Sequence, residues 1–125
     1  MNKLGIRPGD RLALLAAPPG FLLDLPDRVT LVRRLTGRCD VVLFFTAARA
    51  DLERRVERIG EAIAPAGMAW IAWPKRAAKV ATDMTEDVVR AVALPRGLVD
   101  VKVCAIDDTW SGLKLVWRKE LRAAL

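Results

Sequence analysis

The chain has 125 residues, with 21 Lys and Arg against 15 Asp and Glu, for a formal net charge of +6. Hydrophobic residues make up 53% of it, which suits a single domain, 1–125, with its own core and argues against disorder. There is no histidine and no tyrosine. This excludes Ser-His and Cys-His nucleophile pairs and removes the commonest metal ligand, so any catalysis must rely on Asp, Glu, Lys, Cys or a cofactor.

Cys39 and Cys104 are isolated and fit neither a disulfide framework nor a zinc site. The apolar runs are too short to cross a membrane, and residues 1–10 lack the apolar core of a signal peptide. The expectation is a soluble cytoplasmic protein. A basic balance can favour anionic partners, but the arginines form no dense run, which favours reading them as a solvated surface.

Residues 4–10 contain the turn signal Pro8-Gly9. Residues 11–17 predict a short apolar strand, stopped by Pro18-Pro19-Gly20. Residues 21–25 allow one helical turn before Pro26, and residues 29–35 fit a strand or a helical turn equally. Asp40 introduces a second strand over 41–45, Val-Val-Leu-Phe-Phe, rich in β-branched and aromatic residues. A helix is predicted over 48–64, because Leu52, Val56, Ile59 and Ile63 form one apolar stripe opposite Glu53, Arg54, Glu57, Arg58 and Glu61. Pro65 and Gly67 turn the chain into a strand over 68–73. That run, Met-Ala-Trp-Ile-Ala-Trp, is apolar throughout, as expected for a strand covered on both faces, and Pro74 closes it.

Residues 85–94 predict a second helix, with Thr85 as N-cap and Glu86 and Asp87 complementing its dipole. Pro95 and Gly97 end it. A strand over 99–106 would place Val99, Val101, Val103 and Ala105 on one face. A loop over 107–112 leads to a strand over 113–118 with Leu113, Leu115 and Trp117 together, so the last two strands should be antiparallel. Strands alternating with helices imply right-handed crossovers. The expected fold is α/β: a three-layer, Rossmann-like, mostly parallel sheet with helices on both faces and a C-terminal antiparallel hairpin.

This order resembles the class I methyltransferase fold in truncated form. Residues 4–15 look like the approach to that family's first cofactor strand, Asp40-Val41-Val42-Leu43-Phe44 like its fourth strand, and Ala64-Pro65-Ala66-Gly67-Met68-Ala69-Trp70-Ile71 like the turn into its fifth. The whole chain also resembles a small bacterial family of proteins of unknown function. Trp73-Pro74-Lys75, Thr82-Asp83-Met84-Thr85-Glu86-Asp87-Val88-Val89-Arg90 and the run 97–114 carry that match. The resemblance implies S-adenosylmethionine as cofactor and places the cofactor loop on Pro18, Gly20 and Phe21. Here that loop is degenerate: one glycine remains, and two prolines remove backbone donors. Asp40, at about the right distance to hold the ribose hydroxyls, begins a strand instead of ending one.

Two further constellations stand out. Lys75, Arg76, Lys79 and the helix start at Thr85 could hold an anion, or form a solvated loop before an ordinary cap. Asp107, Asp108, Trp110 and Ser111 in the hairpin loop could bind a hard cation or supply a base, or merely satisfy local backbone groups. Arg33, Arg34 and Arg38, with Arg54, Arg55 and Arg58, raise nucleic-acid binding, although acidic residues dilute the second group. The resulting expectation is a non-catalytic binding or interaction module on a methyltransferase-like scaffold. Its alternatives are a divergent S-adenosylmethionine-dependent methyltransferase, and an anion- or nucleic-acid-binding basic surface. No cofactor is expected outside the methyltransferase alternative, which would take S-adenosylmethionine, and no metal and no membrane association is expected. A protein partner, a small anionic ligand or a homodimer paired along a strand edge would each suit the module.

Overall fold

The computed structural model describes residues 3–125. Its strands are β1 (Arg11–Leu15), β2 (Thr30–Val32), β3 (Val41–Phe45), β4 (Met68–Pro74), β5 (Leu98–Ala105) and β6 (Trp110–Trp117). Two α-helices, α1 (Arg49–Ile63) and α2 (Glu86–Ala93), follow β3 and β4. The strands form one sheet in the order β2-β1-β3-β4-β6-β5. β1, β2, β3 and β4 run parallel, and β6 lies antiparallel between β4 and β5. The α/β class, the mostly parallel Rossmann-like sheet and the closing hairpin are therefore as the sequence predicts. Residues 29–35 join the sheet through β2, and residues 21–25 form no helical turn. Among the described residues no helix is long and apolar enough to cross a membrane.

Both α-helices cover the same face. Leu52, Val56, Ile59 and Ile63 of α1 and Val89 and Val92 of α2 bury against Ala13, Leu15, Val42, Phe44, Ile71, Leu113 and Leu115. The other face carries Leu12, Leu14, Val41, Leu43, Phe45 and Trp70. Irregular chain covers it: Leu4 and Ile6 from before β1, and Phe21, Leu23 and Val29 from between β1 and β2. Here the structure departs from the expected helices on both faces, and proline is the physical reason. Pro18, Pro19 and Pro26 punctuate the connection that would have to hold a covering helix. The Trp70 indole N–H fixes this cover by donating to the Leu4 carbonyl oxygen at 2.9 Å, with Trp70 only 1% exposed.

β5 departs from simple alternation. Its register against β6 slips between Asp100 and Lys102, so Val101 is the extra residue of a bulge. Val99 pairs with Val116 and Val103 with Leu113, so the two valines point to opposite faces of the sheet. Gly67 is fixed by crowding. A Cβ there would lie 2.8 Å from the Ile63 carbonyl oxygen, 2.9 Å from that of Asp40 and 3.0 Å from that of Cys39.

Candidate functional site

From β1 the chain passes to β2 on one side and then returns to β3 on the other. The switch point of the sheet thus lies between β1 and β3, and open α/β sheets hold ligands beyond the carboxyl ends of the strands at such a point. On this edge the chain leaves β1 through Ala16, at φ 55°. Pro19 and Gly20 then occupy the centre of a turn closed by the Phe21 amide donating to the Pro18 carbonyl at 3.1 Å, with Gly20 at φ 78°. This is the arrangement of a type II turn, which requires a residue such as glycine at its third position. A Cβ on Gly20 would meet nothing within 4 Å, so the glycine serves the turn and not a close approach.

The turn brings Phe21 back over the sheet. Its ring meets Phe45 edge-on at 4.8 Å, and Phe45 meets Trp110 in the same manner at 5.1 Å. Three aromatic rings thus close the loop-covered face at the end of β3. β2 ends at Val32 and is followed by Arg33 and Arg34, two cations at the strand end where a ribose-binding carboxylate would stand. Asp40 lies at the opposite edge of the sheet, where its carboxylate accepts the Arg11 amide N–H at 2.8 Å.

The structure gives local partners to some of the other predicted site residues. The Thr85 hydroxyl accepts the Val88 amide N–H at 3.1 Å, capping its own helix. Glu86 and Asp87 of the same first turn both pair with Arg90. Lys75, Arg76 and Lys79 sit on the short 3-10 turn (Arg76–Ala78) after β4, with Arg76 and Lys79 exposed. The Asp107 carboxylate accepts the amides of Thr109 at 2.8 Å and Trp110 at 2.9 Å, a local turn within the hairpin loop. Asp108 is exposed, and Ser111 pairs in register with Trp73 and Ala105.

Neighbouring Thr82 and Asp83 act at a distance. The Thr82 hydroxyl donates to the Ala47 carbonyl at 2.6 Å, and the Asp83 carboxylate accepts the Arg49 amide at 2.8 Å. Ala48, at the N-cap of α1, has no side chain able to do this, so α1 is capped from 34 residues away.

The structure also joins what the sequence shows as two separate arginine groups. Arg34, Arg54, Arg55 and Arg58 line one depression of about 560 Å³ on the helical side of the switch point, with Ala16, Leu35, Phe44, Phe45 and Asp51. Arg55 lies over the Phe44 ring at 5.4 Å, and Arg54 pairs with Asp51. The spacing of Arg54 and Arg58 on α1 is readable in sequence, whereas the approach of Arg34 depends on β2 joining β1.

No family model and no curated protein matches the chain. Among solved structures it is similar to magnesium protoporphyrin IX methyltransferase (ChlM) from Synechocystis PCC 6803 with bound SAM, with a TM-score of 0.51, 11% identity and coverage of 74% of this chain and 47% of that one. It is similar to the fibrillarin pre-rRNA processing protein of Methanococcus jannaschii, with a TM-score of 0.50, 13% identity and coverage of 72% and 46%. A possible exported protein from Bordetella parapertussis gives a TM-score of 0.54, 15% identity and coverage of 88% and 62%. The chain spans about half the length of the first two of these structures. The likeness shows the fold: this is a methyltransferase-like α/β sheet in truncated form.

Proposed function

We propose that residues 1–125 form a single domain that works as a non-catalytic binding or interaction module on a methyltransferase-like scaffold. The observation that carries this reading is the turn after β1. In the neighbour solved with bound SAM, the fold accompanies S-adenosylmethionine. The residues of this chain do not fit that cofactor. Pro18 and Pro19 have no amide hydrogens to offer, Gly20 is committed to a turn, and Phe21 lies against Phe45. Arg33 and Arg34 follow β2 where an acceptor for ribose hydroxyls is needed.

The test is titration of the purified protein with S-adenosylmethionine and S-adenosylhomocysteine, followed by calorimetry and by the thermal midpoint. A ligand of the folded state at a hundred times its Kd adds about 2.7 kcal/mol of stability, which such a melt resolves readily. The expected result is no heat and an unchanged midpoint. A dose-dependent rise, or methyl transfer to any acceptor, would overturn the proposal.

A further inference from the structure

The arginine-lined depression has a composition the fold does not require. Four guanidinium groups against the single Asp51 carboxylate leave a local charge of +3. Asp51 is already held by Arg54, and no carboxylate among the described residues pairs with Arg34, Arg55 or Arg58. Arg54 and Arg58 stand one turn apart on α1, an arrangement in which like charges repel. Arg34 is brought against them from the far end of β2. Such a cluster is unfavourable in the empty state and becomes favourable when an anion is shared.

We propose that this depression binds a small ligand carrying two or three adjacent phosphates, held by Arg34, Arg54, Arg55 and Arg58. The inference rests on reading the chain as a binding module and names the ligand class of that module. Three features select the ligand. The guanidinium fork matches phosphate oxygens two at a time, and four forks in one hollow suit contiguous phosphates better than a lone carboxylate. The volume, about 560 Å³, falls within the range of small-molecule sites. A terminal phosphate brings about −1.5 to −2 charges and a bridging one about −1, so two or three contiguous phosphates match or exceed the charge of the hollow.

Nucleic acid fits less well. A single strand needs exposed aromatic platforms beside its basic track. Phe44 and Phe45, the aromatic residues of this hollow, are each only 2% exposed. Arg55 already covers Phe44, and Phe21 and Trp110 meet Phe45.

The experiment is calorimetric titration at low ionic strength with inorganic tripolyphosphate, ATP and a short single-stranded RNA. The proteins are wild type, an Arg34→Gln/Arg58→Gln variant and a Lys75→Gln/Lys79→Gln variant. Arg34, Arg58 and Lys79 are exposed, Lys75 is half-buried, and none of the four makes an ion pair among the described residues, so both variants should melt as wild type does. Tripolyphosphate and ATP should bind wild type and the lysine variant equally. Each arginine removed should weaken binding about tenfold, hence about a hundredfold for the pair. ATP binding more tightly than tripolyphosphate would support the proposal with a nucleotide as the source, and equal affinities would support it with a bare oligophosphate. Three results would overturn it: no titration with either compound, equal binding by the arginine variant, or RNA binding that tripolyphosphate fails to displace. S-adenosylmethionine in the same panel separates the two readings. Its binding would sink the module reading, whereas silence towards oligophosphate alone would sink only the present one.

Discussion

Removing the Asp83 carboxylate should loosen α1, a helix with which it shares no local sequence. The first-turn amide of Arg49 donates to Asp83 at 2.8 Å, and Ala48 offers no substitute. The carboxylate also lies at the positive end of the helix dipole. Losing a capping side chain costs about 0.5–2 kcal/mol, typically about 1, and the exposure of Asp83 places this case near the typical value. In a domain of this size about 1 kcal/mol lowers the thermal midpoint by roughly 4 °C. Asp83→Asn keeps an acceptor and loses the charge, so it should fall between Asp83→Ala and wild type. Ala48→Ser places a capping hydroxyl on a residue already in extended conformation, φ −131° and ψ 127°, and should recover part of the loss in the Asp83→Ala background. Urea denaturation followed by far-UV circular dichroism gives the three differences. If Asp83→Ala matches wild type, or if Ala48→Ser adds nothing in that background, the long-range cap is not what holds the start of α1.

Gly67→Ala should destabilise by about 1–3 kcal/mol or more in urea melts, because its methyl group would meet three backbone oxygens that cannot rotate away. Trp70→Phe should cost about 1–3 kcal/mol by leaving the Leu4 carbonyl without its donor, and limited proteolysis should then cut earlier in the segment before β1. Asp100→Asn should lower the midpoint at pH 7, since Arg90 bonds the Asp100 carboxylate at 2.9 Å and holds its pKa below the usual value. Because the folded carboxylate titrates lower than the unfolded one, its contribution is complete above about pH 4 and is lost as pH falls through the lowered value. Melts at pH 7 and pH 2.5 should therefore show the wild-type advantage shrinking in acid, and a constant gap would refute the pairing.

Local periodicity wrote the helical face of the protein legibly. The stripe of Leu52, Val56, Ile59 and Ile63 is buried as expected, and Leu113, Leu115 and Trp117 face the same layer. The Thr85 cap was readable because its partner, Val88, is three residues away. What the sequence hid was long-range. β2 has three residues, two of them exposed, and it exists because β1 offers an open edge to pair with. The bulge at Val101 turned an apparent valine face into two faces, because one extra residue reverses every later side chain. Arg34 and Arg58 reach one hollow only once β2 has taken its place beside β1.

These hidden features combine at the switch point. A sheet without helices on one face must bury that face under loops, and large aromatic rings supply area that loops otherwise lack. Phe21 serves in this way only because Pro19 and Gly20 reverse the chain straight after β1. The closure therefore stabilises the shortened fold at the carboxyl ends of β1 and β3. Open volume persists on the other side of the same strands, where α1 and the end of β2 meet. There the exposed face of α1 carries arginine instead of apolar residues, and the step from β2 adds another. The aromatic closure on one face and the charge on the other are thus linked through the topology. If the module binds a small molecule at its switch point, charge selects it, and the hollow on the α1 side is where it lands.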